Sequence, residues 1–276
     1  MPQSSSPFDR QGAAPSRPEK ILVFLHDMAD TPLTWQDQVG ALPEGWRPLT
    51  PWLRGMKPID KEVFDLQAAA DALSVIPLEY GVESVVMVGV GLGGTVALRC
   101  AADSPAMVRG LVLVNPLVAP GGRALKRQRT ALKLMPRGRL AAQNIDKDRL
   151  LAAMDMLATL DLGDAPEQVS CPVLILCADD SAARQAADEL AARLPNATVR
   201  PVAGGPRPHQ EDPRAFNDII AAFVTSLDDD PTQDSPTGLP DDPFHDLPAD
   251  PFDGLPDDPF RDEGFGDAPG GDTPER

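Results

Sequence analysis

A glycine-rich turn between an apolar run and a helical pattern could do chemistry. The stretch VMVGVGLGGTVAL (86–98) contains Gly89, Gly91 and Gly94 in the pattern G-x-G-x-x-G. After a strand and at the start of a helix, this pattern can bind the pyrophosphate of a dinucleotide. A dinucleotide site also needs an acidic residue about 20 positions further on, where the sequence has Asn115 and Pro116. We therefore expect no dinucleotide cofactor.

The same turn fits the nucleophile elbow G-x-S-x-G, which lifts a serine hydroxyl above the edge of a sheet. Gly89 and Gly93 occupy its two glycine positions, and Gly91 occupies the serine position. Because glycine has no side chain, it cannot attack a carbonyl carbon. The elbow is therefore predicted to persist as a fold element without its nucleophile.

Strand-like and helix-like segments must position this turn, and they alternate through the body of the chain. The alternation predicts an α/β fold with a mostly parallel six-stranded sheet and helices on both faces. The segment from about 121 to 164 shows helical patterns with no strand, and we expect it to cap the carboxyl edge of the sheet. The strand-like runs are 21–25, 47–50, 84–88, 108–114, 172–177 and 198–202, and the helical patterns are 62–76, 92–102, 182–194 and 213–227.

Five segments in this order resemble the α/β-hydrolase superfamily. FLHDMADTPLTW (24–35) is similar to its His-Gly loop and following tryptophan, PWLRGM (51–56) to its Pro-Asp-Leu-Arg-Gly turn, and the glycine turn to its elbow. CPVLILCADDSAA (171–183) resembles the strand that ends in the catalytic acid, and GGPRPHQEDPRAFNDIIAAF (204–223) the histidine loop and last helix. The resemblance covers residues 20–227 as one domain and implies, by itself, a serine-type hydrolase of the esterase or lipase kind.

The resemblance also locates the three catalytic positions, and none holds the family's residue. The nucleophile position is Gly91, the acid position is Ser181 or, one residue earlier, Asp180, and the base position is Pro206. His209 falls on a second histidine position that the family does not use as its base. We therefore expect a catalytically degenerate protein that binds a small molecule or a protein. The alternative is an active hydrolase of a small ester or amide with relocated catalytic groups.

The pocket or oxyanion region is expected to comprise His26, Asp27, Met28, Leu92 and His209. Asp27 replaces the glycine that follows the family's histidine, and a carboxylate there would oppose the negative charge of an oxyanion. The histidines lack the compact spacing of metal ligands. We expect neither a metal nor another cofactor.

Residues 228–276 form an acidic tail with 16 acidic residues, two arginines and ten prolines, which carries −14 of the net charge of −17. Such a composition predicts disorder, and residues 1–19 are expected to be a disordered leader. The tail repeats LPDDPFHD, LPADPFDG and LPDDPFRD, which predicts a multivalent arm for an unknown protein partner; a duplicated solubilising tail is the alternative. The expected anchors are Leu239, Leu247, Leu255, Phe244, Phe252 and Phe260.

A run of seven basic residues without an acid lies in the cap. A solvated helix face is its simplest interpretation, and an anion or the acidic tail could also bind it. Nucleic acid is not expected, because the run lacks aromatic residues that stack on bases. The residues are Arg123, Lys126, Arg127, Arg129, Lys133, Arg137 and Arg139.

The three cysteines and the lengths of the apolar segments predict in which cellular compartment the protein is found. The cysteines are odd in number, and Cys171 and Cys177 share one predicted strand that cannot fold back to bridge them, so they are expected to be free thiols of a reducing compartment. The first residues lack a secretory apolar segment. No run of about 18 apolar residues predicts a membrane span. We expect a cytoplasmic protein without a membrane partner.

Overall fold

The computed structural model describes residues 20–58, 60–117, 123–142, 145–203 and 205–228, with backbone alone for 123 and 124. The predicted leader 1–19 and the tail beyond 228 lie outside these ranges. So do the six predicted anchors of the tail, Leu239, Leu247, Leu255, Phe244, Phe252 and Phe260.

The described residues contain the predicted parallel sheet of six strands. The strands are β1 (Lys20–Leu25), β2 (Trp46–Leu49), β3 (Val85–Val90), β4 (Val108–Val114), β5 (Val173–Ala178) and β6 (Ala197–Val202). Their order is β2-β1-β3-β4-β5-β6, and each neighbouring pair is parallel. Dinucleotide-binding folds typically have the order 3-2-1-4-5-6. In those folds the glycine turn follows the first strand of the chain, whereas here it follows β3, which lies between β1 and β4 in the sheet.

Helices connect the strands, as the alternation of patterns predicts. They are α1 (Gln36–Val39), α2 (Leu66–Leu73), α3 (Ile76–Tyr80), α4 (Leu92–Asp103), α5 (Arg123–Leu134), α6 (Arg137–Ala141), α7 (Lys147–Ala158), α8 (Ala165–Gln168), α9 (Ser181–Ala191), α10 (Pro208–Glu211) and α11 (Pro213–Asp228). A short 3-10 turn, Pro32–Trp35, precedes α1. None of the described helices is both long and apolar enough to cross a membrane.

The central strands are buried on both faces because helices cover each face. Along β3, Val85 and Met87 belong to an apolar cluster that includes residues of α2, α4 and α9, whereas Val86 and Val88 belong to a second cluster that includes Trp35 and residues of α11. Apolar residues on both sides of a strand fit these two layers, which is why β3 is apolar along its length and β1 and β4 are apolar except for Lys20 and Arg109. The site at the end of β3 therefore follows a strand that is buried along its whole length.

Two expectations about single elements are wrong. A sheet with helices on both faces predicts that the strand at 198–202 is buried on both sides, but Thr198 and Arg200 of β6 are exposed because β6 is an edge strand with β5 on one side. The pattern at 62–76 does not form one helix. The Asp65 carboxylate accepts a hydrogen bond from the Ala68 N–H and starts α2 there, and Pro77 lies in the first turn of the separate helix α3.

The insert after β4 folds into the helices α5, α6 and α7. Their apolar sides meet in a small core of their own, formed by Leu132, Leu140, Leu150 and Met154. Met28, from the loop after β1, packs against this core. The insert thus covers the carboxyl edge of the sheet, as expected for a cap.

Candidate functional site

A cavity of about 590 Å³ lies between the carboxyl edge of the sheet and the cap. The sheet side comes from loops that follow β1, β3 and β4, including Asp27, Gly91 and Asn115, and from Pro206 and Arg207. The cap side is apolar except for Gln128, and its larger residues are Leu125, Leu132, Met135, Leu140, Leu150 and Met154. A pocket that is mostly apolar with a few convergent polar groups is typical of small-molecule sites.

Gly91 has the conformation of a nucleophile elbow without the nucleophile. It precedes the first residue of α4 with φ 53° and ψ −116°, a backbone geometry that side chains rarely adopt. A Cβ atom built on Gly91 would lie 2.2 Å from Asp27 Oδ1 and 2.5 Å from Asp27 Cγ. The Asp27 carboxylate therefore occupies the space that a side chain at position 91 would need.

The Asp27 carboxylate also takes up a donor that serves the oxyanion in this type of site. The N–H of the residue after the nucleophile is one of the two oxyanion donors, and here the Leu92 N–H donates to Asp27 Oδ1 at 2.8 Å. Burial raises the pKa of Asp27, while the N–H groups of Leu92 and Met28 and the charge of Arg207 act in the opposite direction. The site thus presents a carboxyl group where a hydrolase presents free N–H donors.

His26 does not line the cavity, which corrects its expected place in the pocket region. Its ring is fully buried, with Nδ1 2.8 Å from the Asp27 carbonyl oxygen and Nε2 accepting the Leu53 N–H at 3.2 Å. Burial lowers the pKa of His26 to about 4. Both ring nitrogens hold the loop after β1 in place, so His26 is a structural residue.

His209 is likewise absent from the cavity lining, against expectation. It lies in α10, and its ring stacks on Trp35 with 4.4 Å between centroids. Its Nε2 is 3.0 Å from Thr34 Oγ1, and burial, with Arg207 nearby, lowers the pKa of His209 to about 4. The ring packs between aromatic residues, because Phe216 of α11 lies on it as well, with 5.9 Å between centroids.

The acid and base positions hold no catalytic pair. The Asp180 carboxylate caps α9 by accepting the N–H groups of Ala182 and Ala183 at 3.0 and 2.9 Å, and Ser181 is exposed in the first turn of α9. Neither Asp180 nor Ser181 lines the cavity. Pro206 does line it, but a proline has no base to offer.

Asn115 connects the two loops that would carry the acid and the base, and the sequence interpretation missed this role. Its Nδ2 donates to the Pro206 carbonyl oxygen, and its Oδ1 accepts the Ala178 N–H, both at 3.0 Å. Asn115 has φ 44°, which asparagine tolerates better than most residues. An asparagine that directly follows a buried strand and precedes a proline was the available signal.

An ion pair between a partly exposed arginine and a buried aspartate, beside the cavity, was also missed. Arg207, which lines the cavity, has Nη1 3.0 Å from Asp30 Oδ1, and the Asp30 side chain is only 8% exposed. Burial raises the pKa of Asp30 to about 6, although Arg207 lowers it. Arg207 is therefore a cavity residue whose charge is largely offset by its neighbour.

The basic cap residues whose side chains the structure describes do not line the cavity, and two of them pair with acids from α7. Arg129 contacts Asp155 at 2.5 Å, and Arg137 contacts Asp148 at 2.9 Å. The run has no acid in sequence, but folding supplies these partners. Lys126, Arg127, Lys133 and Arg139 are exposed, and the Arg123 side chain lies outside the described residues. Within the part of the chain that the structure describes, no group of three His, Cys, Asp or Glu side chains could hold a metal ion.

Known proteins share this fold and sequence pattern. The protein named "Putative carbamate hydrolase RutD" from Escherichia coli O9:H4 (strain HS) is 27% identical over 200 residues, which cover 60% of this chain and 75% of that protein. MenH from S. aureus superposes with a TM-score of 0.65 at 19% identity, covering 78% of this chain and 97% of that chain.

A second solved structure is similar in the same way. A structure from work on carboxylesterases of the thaumarchaeon Nitrososphaera gargenis has a TM-score of 0.67 at 18% identity, covering 76% of this chain and 92% of that chain. A family model described as "Alpha/beta hydrolase family" matches residues 22–219. The chain therefore belongs to the alpha/beta hydrolase family.

Proposed function

We propose that this member of the family binds a small molecule in the cavity between sheet and cap without hydrolysing it. The observation that carries the proposal is the position of Asp27. Its carboxylate fills the space of a side chain at position 91 and accepts the Leu92 N–H. Both the nucleophile and an oxyanion donor are thereby lost to the reaction.

The surrounding residues support the same function. Covalent acyl transfer needs a nucleophile in hydrogen-bond reach of a base. The described residues that line the cavity include no serine, threonine, cysteine or histidine. Loss of a triad nucleophile or base costs on the order of 10⁶ in turnover, and the residual catalysis depends in part on the oxyanion hole. With the Asp27 carboxylate in the oxyanion hole, we expect this residual catalysis to be suppressed as well.

The test is turnover of short acyl esters and of carbamates, the latter because a relative is named as a carbamate hydrolase. The purified chain is expected to hydrolyse them no faster than buffer does. Ser181→Ala serves as the control for a relocated serine, since Ser181 is exposed at the start of α9. Saturable hydrolysis by the native chain would overturn the proposal, whether or not it survives in Ser181→Ala.

A second candidate function is hydrolysis through Asp27 itself. It is favoured by the same geometry, because carboxylates can act as nucleophiles and this one lies where the nucleophile belongs. It lacks an imidazole to activate water, since His26 and His209 are engaged elsewhere. Turnover that is lost in Asp27→Asn and retained in Asp37→Asn, an exposed carboxylate on α1, would establish this second function.

We also propose that the repeats of the acidic tail bind a protein partner with apolar pockets and a basic rim. Leu and Phe recur at eight-residue intervals in an acidic, proline-rich background, and three copies raise the effective concentration of the second and third contacts. A candidate partner should bind a peptide spanning 239–262 at least about tenfold more tightly than the peptide with Phe244, Phe252 and Phe260 changed to alanine. Equal affinity of the two peptides would overturn this role.

A further inference from the structure

We propose that the cavity binds an apolar primary amine, with its hydrocarbon part against the cap and its ammonium group on the Asp27 carboxylate. This inference rests on the proposed function, because a cavity that keeps its ligand intact must recognise it through the groups that remain. It concerns the ligand class and not the absence of hydrolysis, so the two can fail separately.

The floor of the cavity, which is its sheet side around Gly91, presents a hydrogen-bond acceptor where a hydrolase presents donors. An oxyanion hole offers N–H donors to the carbonyl oxygen of a substrate. Here the Leu92 N–H is already bonded to Asp27 Oδ1 at 2.8 Å, so a ligand carbonyl finds an acceptor and not a donor. A group that donates hydrogen bonds fits this floor, and a group that only accepts them does not.

The other polar groups on the sheet side are engaged with the protein. Both atoms of the Asn115 amide are bonded, to Pro206 and to Ala178. Arg207 is paired with the buried Asp30 at 3.0 Å. Asp27 is the single carboxylate among the described lining residues and lies directly over Gly91. It is therefore the charged acceptor in the described lining that can orient a donor group of a ligand.

The charge balance favours a cationic group over an anionic one. Arg207 and Asp30 offset each other, and the cap contributes no charged side chain to the described lining. Arg207 is shared between Asp27 and Asp30, so the three groups together lack one positive charge, which an ammonium group would supply. An apolar carboxylate would instead place two anions side by side.

The walls of the cavity suit a hydrocarbon of variable shape. Met28, Met135 and Met154 line it together with leucines from α5, α6 and α7. Methionine side chains are flexible and adapt to different apolar partners. The apolar walls supply affinity, and Asp27 supplies the discrimination between head groups.

The experiment compares octylamine, octanol and octanoate by titration calorimetry with the native full-length chain and with Asp27→Asn. Asparagine can still accept the Leu92 N–H through its oxygen, which favours retention of the fold. We expect native protein to bind octylamine about tenfold or more tightly than octanol, and octanoate most weakly, because a charged hydrogen bond is worth that factor. In Asp27→Asn the amine should fall to within about threefold of octanol.

Octanol reports whether the cavity is intact, and Asp37→Asn is the matched control. Octanol affinity should change far less than octylamine affinity between the native chain and Asp27→Asn, and Asp37→Asn should bind both compounds as the native chain does. Octanoate binding as tightly as octylamine, octylamine binding that Asp27→Asn leaves unchanged, or no binding of octylamine would each overturn the amine proposal. Turnover of esters, and not any of these affinities, decides the proposed function.

Discussion

Gly91→Ala is expected to lower the free energy of unfolding by about 2–4 kcal/mol, a large effect for one methyl group. Its Cβ would lie 2.2 Å from Asp27 Oδ1, so the carboxylate would have to leave the Leu92 N–H. The backbone at φ 53° adds strain for any residue with a side chain. Denaturant unfolding of the variant at neutral pH measures the loss.

Asp27→Gly is expected to relieve much of that loss, because the vacated space can then hold the new methyl group. Alone, Asp27→Gly should cost about 1–2 kcal/mol through the lost hydrogen bond and the gap. The double variant should be more stable than the sum of the two single effects by about 1 kcal/mol or more. Strictly additive effects would show that the two residues do not compete for one space.

Gly138→Ala provides the matched control for the added methyl group. Gly138 lies in α6, and a Cβ built on it meets no atom within 4 Å. We expect a change of less than about 1 kcal/mol and no coupling with Asp27→Gly. Coupling of similar size at Gly138 would mean that Asp27→Gly perturbs the fold as a whole.

Acidification from pH 7 to pH 4 is expected to remove about 3 kcal/mol of stability through His209. Its pKa is lowered from 6.5 in the unfolded chain to about 4 by burial. The folded state thus holds fewer protons than the unfolded state in this window. The stabilisation is complete above pH 6.5 and is lost as the pH falls towards 4. His26 has the same direction of shift for the same reason.

His209→Phe should remove this part of the pH dependence while keeping the aromatic stack on Trp35. Two carboxyl groups act in the opposite direction, because burial raises the pKa of Asp27 and that of Asp30. The pH dependence of the native chain's stability is therefore the sum of these opposing contributions. The difference between the native chain and His209→Phe isolates the contribution of His209. Denaturant unfolding at several pH values measures it. Thr34→Val, which removes the partner of Nε2, should leave the acid loss in place, and an unchanged loss in His209→Phe would contradict the assignment.

The sequence suffices to predict the strands and the turn that position the site. In the run VVMVGV, the residues that face either side of the strand are apolar, because apolar layers cover both faces of β3. The glycines that follow mark a sharp strand-to-helix connection, and the structure places Gly91 at its apex. These features are local, so neighbouring residues carry the signal.

The contacts that define the site could not be predicted in this way. Asp27 and Leu92 are 65 positions apart, and nothing in their spacing shows that one carboxylate oxygen meets that N–H at 2.8 Å. Asn115 and Pro206 are 91 positions apart, and the pairing of Arg207 with Asp30 also joins distant loops. The resemblance placed both histidines near the pocket, but packing directs the His209 ring onto Trp35. Side-chain direction follows from tertiary packing, which the sequence pattern does not specify.

We propose that Asp27 has replaced the nucleophile, so that the described cavity lining holds no serine, threonine, cysteine or histidine side chain that could attack or activate an attacking group. Intact mass after incubation with a fluorophosphonate probe tests this most directly, on the native chain and on Ser181→Ala. We expect both to keep their unmodified masses. A stoichiometric covalent adduct that persists in Ser181→Ala and maps to a residue at the cavity would contradict the claim.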